Sequence, residues 1–79
     1  NTEQAGPLAR LVRAESLQRL AALVAELDEA EQELLRLRFA GELTYVEIGA
    51  VVGRSEAAVK MAMHRLLRRL EAAWEEVDG

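Results

Sequence analysis

The sequence of 79 residues contains no cysteine, which excludes disulfide bonds and thiolate metal sites. It contains a single histidine, His64, so a metal centre built from several imidazoles is excluded as well. No nucleophile–base set, phosphate-binding loop or metal-ligand spacing occurs along the chain. We therefore expect a protein that is not an enzyme and that needs no cofactor and no metal.

Long apolar segments are also missing, since no run approaches the roughly 18 residues that a membrane-spanning helix needs. The lack of cysteine and of a signal peptide favours a cytoplasmic location. The chain is long enough for one domain at most. Because it begins at Asn1 without an initiator methionine, we expect a fragment of a longer protein with further domains upstream. Residues 1–7 are expected to form a frayed start or a linker.

The most informative stretch lies in the C-terminal half and has the pattern of a short helix, a tight turn and a long helix. Thr44 and Glu47 have the spacing of a capping box, which predicts that the short helix begins at Tyr45. Gly53 ends this helix, because glycine enters the left-handed conformation without steric cost. Ser55 is a favoured N-cap for the long helix. So short a break with a glycine at its start is typical of a helix-turn-helix.

Two features of this stretch predict how its helices pack against each other. Gly49 is small, as a residue must be where two helix backbones approach closely. Val46, Val52 and Val59 are expected to form a wedge that fixes the angle between the short helix and the long helix.

The long helix has two contrasting faces when successive residues are placed about 100° apart. The apolar face, which should be buried, consists of Val59, Met63, Leu66, Leu70, Ala73 and Trp74. The opposite face is cationic, with small or apolar residues near its start: Ala57, Met61, His64, Arg65 and Arg68, with Lys60 and Arg69 on its flanks. A helix in a DNA major groove needs this combination, since slim residues allow close approach and arginines reach guanine edges and phosphates.

The net charge of −4 argues by itself against a nucleic-acid-binding protein, but the charge is unevenly distributed. Residues 54–70 carry a net charge of +4, whereas residues 1–53 and residues 71–79 each carry −4. The positive charge is therefore concentrated on the helix that would dock, and this local patch is what meets phosphate. The acidic remainder predicts weak nonspecific binding to DNA.

The rest of the chain has helical periodicity and no β pattern. Asp28 and Glu31 form a second capping box, and Gly41 is expected to end the helix that this box begins. The expected helices cover residues 8–26, 29–39, 45–52 and 55–76. We therefore predict an all-α fold: a four-helix domain with a C-terminal helix-turn-helix, similar to a winged helix but without the wing.

Three segments resemble region 4 of bacterial sigma factors, particularly those of the extracytoplasmic-function group. They are Leu37-Arg38-Phe39 after a leucine-rich helix, the segment TYVEIG that begins at Thr44, and the segment VKMAMHRLLR that begins at Val59. The resemblance covers roughly residues 16–72. It implies a domain that recognises the −35 promoter element of DNA while docked on the flap of the RNA polymerase β subunit. Many sigma factors of this group are also held by anti-sigma factors.

The resemblance also implies individual site residues. Those near the bases are Lys60, Met61, His64 and Arg65, and those near the phosphate backbone are Arg38, Thr44, Tyr45 and Ser55. Arg68, on the outward face, is expected to hold a phosphate. Leu34, Leu37 and Phe39 are expected to line the groove that receives the β flap.

Two positions depart from the family pattern. Met61 stands where serine is usual, and Ala62 stands where arginine is usual. Both changes remove polar contacts with DNA and leave an exposed apolar position. Such a position suits an adaptable contact with a protein partner, and Met61 can also touch a thymine methyl group.

The sequence leaves three functions open. The first is the promoter-recognition domain of a sigma factor. The second is the DNA-binding domain of a LuxR-type response regulator, which has a similar shape but usually carries histidine where this chain has Ala62. The third is a sigma-like module that sequesters an anti-sigma factor and touches no DNA.

Single residues also have simpler interpretations that involve no partner. The arginines at 65, 68 and 69 can form a solvated helix face, and Trp74 can close the hydrophobic core.

Overall fold

The computed structural model describes residues 6–78, with side chains through residue 76. This part of the chain contains no β-strand and folds into four α-helices: α1 (Pro7–Ala25), α2 (Glu29–Leu35), α3 (Tyr45–Val52) and α4 (Glu56–Asp78). The all-α fold predicted from the sequence is confirmed. The bounds of α1, α3 and α4 lie within two residues of the predicted ones. The end of α2 is different, because its last turn changes its hydrogen bonding.

α1 begins with Gly6 as its N-cap and Pro7 as its first residue. Proline is favoured there, because the first N–H groups of a helix have no intrahelical partner and the proline φ is already helical. Pro7 thus belongs to a helix, while residues 1–5 of the predicted frayed start lie outside the described residues. None of the helices within residues 6–78 is long and apolar enough to cross a membrane.

α2 begins at the predicted capping box: Asp28 Oδ1 accepts the N–H of Glu31 at 2.8 Å, and Glu31 Oε1 accepts the N–H of Asp28 at 3.2 Å. The predicted helix to residue 39 instead changes after Leu35 into a wider π-helical turn, Arg36–Ala40. Its i→i−5 bonding reaches Gly41, whose N–H donates to the Arg36 carbonyl at 2.9 Å.

The helix ends at Gly41 as predicted, but the left-handed residue is the next one. Gly41 has a φ of −84°, whereas Glu42 has a φ of +56°. Leu43 then donates its N–H to the Leu37 carbonyl at 3.1 Å. A non-glycine residue in this conformation carries steric strain, and the closing hydrogen bond holds the chain in it. Gly41 is needed for a different reason, because a Cβ atom there would lie 2.9 Å from the Leu37 carbonyl oxygen.

The core lies between α2, α3 and α4, and its fully or nearly fully buried side chains are Leu34, Ile48, Val59, Met63 and Leu66. The predicted apolar face of α4 is thus confirmed as buried at Val59, Met63 and Leu66, whereas Leu70, Ala73 and Trp74 are half-buried. The predicted valine wedge is wrong for Val46, which is 58% exposed. Tyr45, Ile48 and Val52 recur at the helical spacing that faces the core, and Val46 lies away from that stripe.

α1 covers α4 from outside and contributes no buried residue. Gln32 of α2 holds its C-terminal end, because the side-chain amide donates to the carbonyl oxygens of Val24 at 3.0 Å and Leu27 at 3.2 Å. Val24 lies in the last turn of α1 and Leu27 just beyond it, so the amide of Gln32 ties this end of α1 to α2. Farther along, the Arg19 guanidinium lies 4.9 Å from the ring centroid of Trp74. Polar and cation–π contacts therefore join α1 to the three-helix core.

Candidate nucleic-acid interface

The helix-turn-helix is formed by α3, a three-residue turn and α4. Thr44 Oγ1 accepts the N–H of Glu47 at 3.2 Å, and Glu47 Oε1 accepts the N–H of Thr44 at 2.8 Å. Gly53 is left-handed, with a φ of +74°. Ser55 Oγ accepts the N–H of Ala58 at 3.1 Å. Each of these features follows from residues close in sequence, and each was predicted.

Gly49 explains how the turn packs so closely on α3. A Cβ atom on Gly49 would lie 2.4 Å from the carbonyl oxygen of Arg54, a separation that real Cβ atoms do not show. The backbone of α3 therefore touches the backbone of the turn. This contact lies in the turn that precedes α4. Because it holds the turn against α3, it also fixes the direction of α4 relative to α3.

We define the outward face of α4 as Ala57, Lys60, Met61, His64, Arg65 and Arg68, all of which are exposed. It lies opposite the buried stripe of Val59, Met63 and Leu66. From residue 57 to residue 70, α4 carries no acidic residue. The predicted base-proximal residues therefore share one cationic surface, with Met61 as its apolar member at 56% exposure.

Of the residues predicted near the phosphate backbone, Thr44, Tyr45 and Ser55 lie at the starts of α3 and α4. Arg38 lies in the π-helical turn after α2. Arg38 Nη1 donates to the carbonyl oxygen of Leu43 at 2.9 Å, and its guanidinium lies 5.0 Å from the ring centroid of Tyr45. Thr44 and Ser55 use their hydroxyl oxygens as helix caps. Arg38, Thr44 and Tyr45 are therefore brought together, and Arg38 also ties the end of α2 to the start of α3.

An ion pair that sequence reasoning missed lies beside the outward face. Arg69 Nη1 donates to Glu31 Oε2 at 2.6 Å, across 38 positions of sequence. The hydrogen bond from Arg69 lowers the pKa of Glu31, and the Glu31 carboxylate raises the pKa of Arg69. Only the two capping boxes were visible in the sequence, and neither indicates which cation approaches Glu31.

The residues predicted for the β flap do not share one surface. Leu34 is 4% exposed in the core, Leu37 packs against that core, and Phe39 is 62% exposed. Phe39 instead lines an open apolar groove of about 550 Å³ between α1, α2 and α4, which also includes Leu20, Val24, Leu35, Ala40, Leu67 and Leu70. We refer to these seven residues as the apolar groove. Two polar residues, Gln32 and Arg36, also line the cavity but are not included in this name.

No group of three or more His, Asp or Glu side chains among the described residues could hold a metal ion.

Comparison with known proteins gives matches to one family. The family model described as "Sigma-70, region 4" matches residues 23–72. An ECF RNA polymerase sigma factor, ShbA of Streptomyces griseus, is 48% identical over 54 residues, which is 68% of this chain and 28% of that protein. The ECF RNA polymerase sigma factors SigD of Mycobacterium bovis and Mycobacterium tuberculosis are 37% identical over 67 residues, or 85% of this chain and 32% of theirs. The chain thus spans about a third or less of the length of these relatives. No solved structure matches the chain significantly.

Proposed function

This chain belongs to the sigma-70 region 4 family, and we propose that it recognises the −35 promoter element for a sigma factor of the extracytoplasmic-function group. Its relatives named as ECF RNA polymerase sigma factors support this assignment. The single observation that carries it is the outward face of α4, which is cationic, exposed and free of acidic residues over residues 57–70. The helix-turn-helix geometry aims that face away from the core, where a DNA major groove can receive it.

On this face Arg65 reads a base, and Lys60 and Arg68 hold phosphates. Arg65 is exposed two turns after Ala57, whose small side chain lets the helix backbone approach the base edges. A guanidinium can donate two parallel hydrogen bonds to guanine O6 and N7. Lys60 and Arg68 carry the sequence-independent attraction to the DNA backbone.

A second set of residues, at the starts of α3 and α4, contacts the phosphate backbone of the DNA. Thr44, Tyr45 and Ser55 come at the N-terminal ends of α3 and α4, where helix dipoles favour an anion. Arg38 lies against Tyr45 and adds a cation there. These contacts set the register of α4 in the groove and read no base themselves.

The apolar groove is the docking surface for the flap of the RNA polymerase β subunit. Phe39 and Leu20 are 62% and 41% exposed, and both line this groove, which an apolar helix would cover. Leu34 lies in the core cluster and Leu37 packs against it, so neither of them is part of this docking surface. Docking supplies the affinity that an acidic domain lacks towards DNA. An anti-sigma factor that covers the same groove or the outward face would prevent initiation.

The test is promoter selection by the complete sigma factor that carries this domain, assembled with RNA polymerase core. Duplexes with a randomised −35 segment are offered, and bound sequences are recovered at increasing salt. We expect enrichment of one −35 sequence, lost in a variant with Lys60, Arg65 and Arg68 all changed to Ala. A variant with the exposed Arg10 and Arg13 of α1 changed to Ala controls for cationic charge elsewhere. Polymerase binding without any −35 enrichment would favour the sigma-like module that serves only a protein partner.

A further inference from the structure

Met61 is an apolar side chain in the middle of a cationic surface. It is 56% exposed, whereas Met63, two residues later, is fully buried. Val59, Met63 and Leu66 provide the buried stripe of α4, so the core does not depend on Met61. Its neighbours one turn away on the outward face are Ala57 and Arg65. What distinguishes Met61 from the other exposed apolar residues is therefore its place, on the same face of α4 as Lys60 and Arg65.

The surroundings of Met61 restrict what can cover it when α4 lies on DNA. Lys60, His64 and Arg65 are exposed around it, and polar side chains of this kind face the phosphates and base edges. A thioether donates no hydrogen bond and gains nothing from a phosphate. Among the base-edge groups of the major groove, the apolar one is the 5-methyl group of thymine.

We propose that Met61 reads the methyl group of a thymine in the −35 element, a proposal that rests on the function proposed above. Ala57, one turn closer to the start of α4, has only a Cβ atom beyond its backbone and lets this end of the helix lie deep in the groove. Met61 then reaches the floor of the groove, where it buries the methyl group. Serine at this position would read hydrogen-bonding groups, so the methionine changes what kind of base edge is preferred.

The spacing on α4 also places this thymine relative to the base that Arg65 reads. Residues four apart on a helix have Cβ atoms about 5–6 Å apart, and successive base pairs are about 3.4 Å apart along the DNA axis. The thymine read by Met61 therefore lies on the order of one to two base pairs from the guanine read by Arg65.

The experiment removes the methyl group and nothing else. The probe is the fluorescein-labelled duplex recovered by the selection described above, and each thymine is replaced in turn by deoxyuridine. Wild-type holoenzyme should lose roughly threefold to fivefold in affinity at one position, which is the worth of one buried methyl group. Met61→Ser should bind the thymine and deoxyuridine duplexes equally at that position.

Leu17→Ser is the matched control, since Leu17 is 60% exposed on α1 and should keep the full sensitivity to deoxyuridine. Three results would overturn the proposal: a wild-type factor insensitive to deoxyuridine at every position, a Met61→Ser variant as sensitive as wild type, or a selected element with no thymine near the guanine. The first two leave sequence-specific binding intact and so leave the proposed function standing. Absence of any −35 preference would remove both.

Discussion

Arg69 of α4 and Glu31 of α2 are joined by a hydrogen bond of 2.6 Å between Nη1 and Oε2. The other carboxylate oxygen of Glu31 accepts the N–H of Asp28 at 3.2 Å. One carboxylate therefore completes the capping box of α2 and also fixes the start of α2 to α4. This contact holds Arg69 beside the outward face. Its positive charge is paired with Glu31 and stabilises the fold, and contact with DNA is secondary for this residue.

Glu31→Gln should lower the melting temperature at neutral pH, because glutamine keeps the capping-box geometry and removes the charge that Arg69 meets. The folded-state pKa of Glu31 is lowered by Arg69, so its stabilisation is present above the unfolded-state pKa. That stabilisation is lost as the pH falls through the folded-state pKa. Thermal unfolding followed by circular dichroism from about pH 7 to about pH 3 should therefore show the wild-type advantage shrinking.

The same change at the other capping box, Glu47→Gln, controls for the capping contribution alone. It should show a smaller pH-dependent difference than Glu31→Gln. Equal pH dependence in the two variants would mean that Arg69 contributes nothing in solution.

Gly49→Ala should destabilise the domain by about 1–3 kcal/mol, the usual cost of overpacking. The new Cβ atom would stand 2.4 Å from the Arg54 carbonyl oxygen, which is backbone and has little freedom to move. Urea unfolding measures the loss. Gly6→Ala is the control, because nothing lies within 4 Å of a Cβ atom at that position. Helix propensity favours alanine over glycine inside a helix, so an unchanged or raised stability of Gly49→Ala would show that the turn moves away from the new Cβ atom at little cost.

The features predicted correctly from the sequence depend on residues close together along the chain. The capping boxes at Asp28 and Thr44 need only a partner three residues later, and Gly53 needs only its own φ. Contacts between distant segments were not predictable. The Glu31–Arg69 pair spans 38 positions, and any of several exposed arginines satisfies the same charge rule. Helical geometry alone does not predict which Asp or Glu side chain each of these arginines pairs with.

Which apolar residues of a short helix are buried was the other feature that the sequence did not predict. α3 has eight residues, and apolar residues occupy both of its sides, so periodicity could not distinguish Val46 from Ile48. The family resemblance predicted Leu34 at a partner surface, yet side chains of α3 and α4 cover it in the core. Predicting its 4% exposure requires the positions of α3 and α4 relative to α2.

Leu66 and Leu67 are adjacent residues with opposite environments, at 1% and 37% exposure. Leu66→Ala should lower the free energy of unfolding by about 2–5 kcal/mol, because it leaves a cavity in the core. Leu67→Ala should cost less than about 1 kcal/mol, since its side chain already contacts solvent. Chemical denaturation of both variants measures the difference. A reversed order would reverse the assignment of the two faces of α4.

Phe39→Asp should weaken binding of the domain to the RNA polymerase β flap by about tenfold or more, the effect expected for a buried aromatic anchor. Phe39 is 62% exposed, so the variant should fold, and its circular dichroism melt checks that it does. Leu8→Asp, at a 74% exposed position of α1 outside the groove, is the matched control. Unchanged flap binding by a folded Phe39→Asp variant would move the docking surface away from the apolar groove.

Arg65→Ala should reduce affinity for the selected −35 duplex and flatten the preference at one base pair, because a bidentate arginine–guanine contact is worth about 1–3 kcal/mol of discrimination. Lys60→Ala and Arg68→Ala should instead weaken binding to matched and single-base-changed duplexes alike. Each should also reduce the slope of log affinity against log salt by about one.

The measurement is a salt titration of each variant holoenzyme on the two classes of duplex. The slope separates the two roles, because a base contact changes discrimination between duplexes and a phosphate contact changes the number of ions released. If Arg65→Ala lowered affinity equally on every duplex and reduced the salt slope by about one, Arg65 would be a phosphate contact. Base reading would then pass to His64 or Lys60, the other polar residues of the outward face near the start of α4.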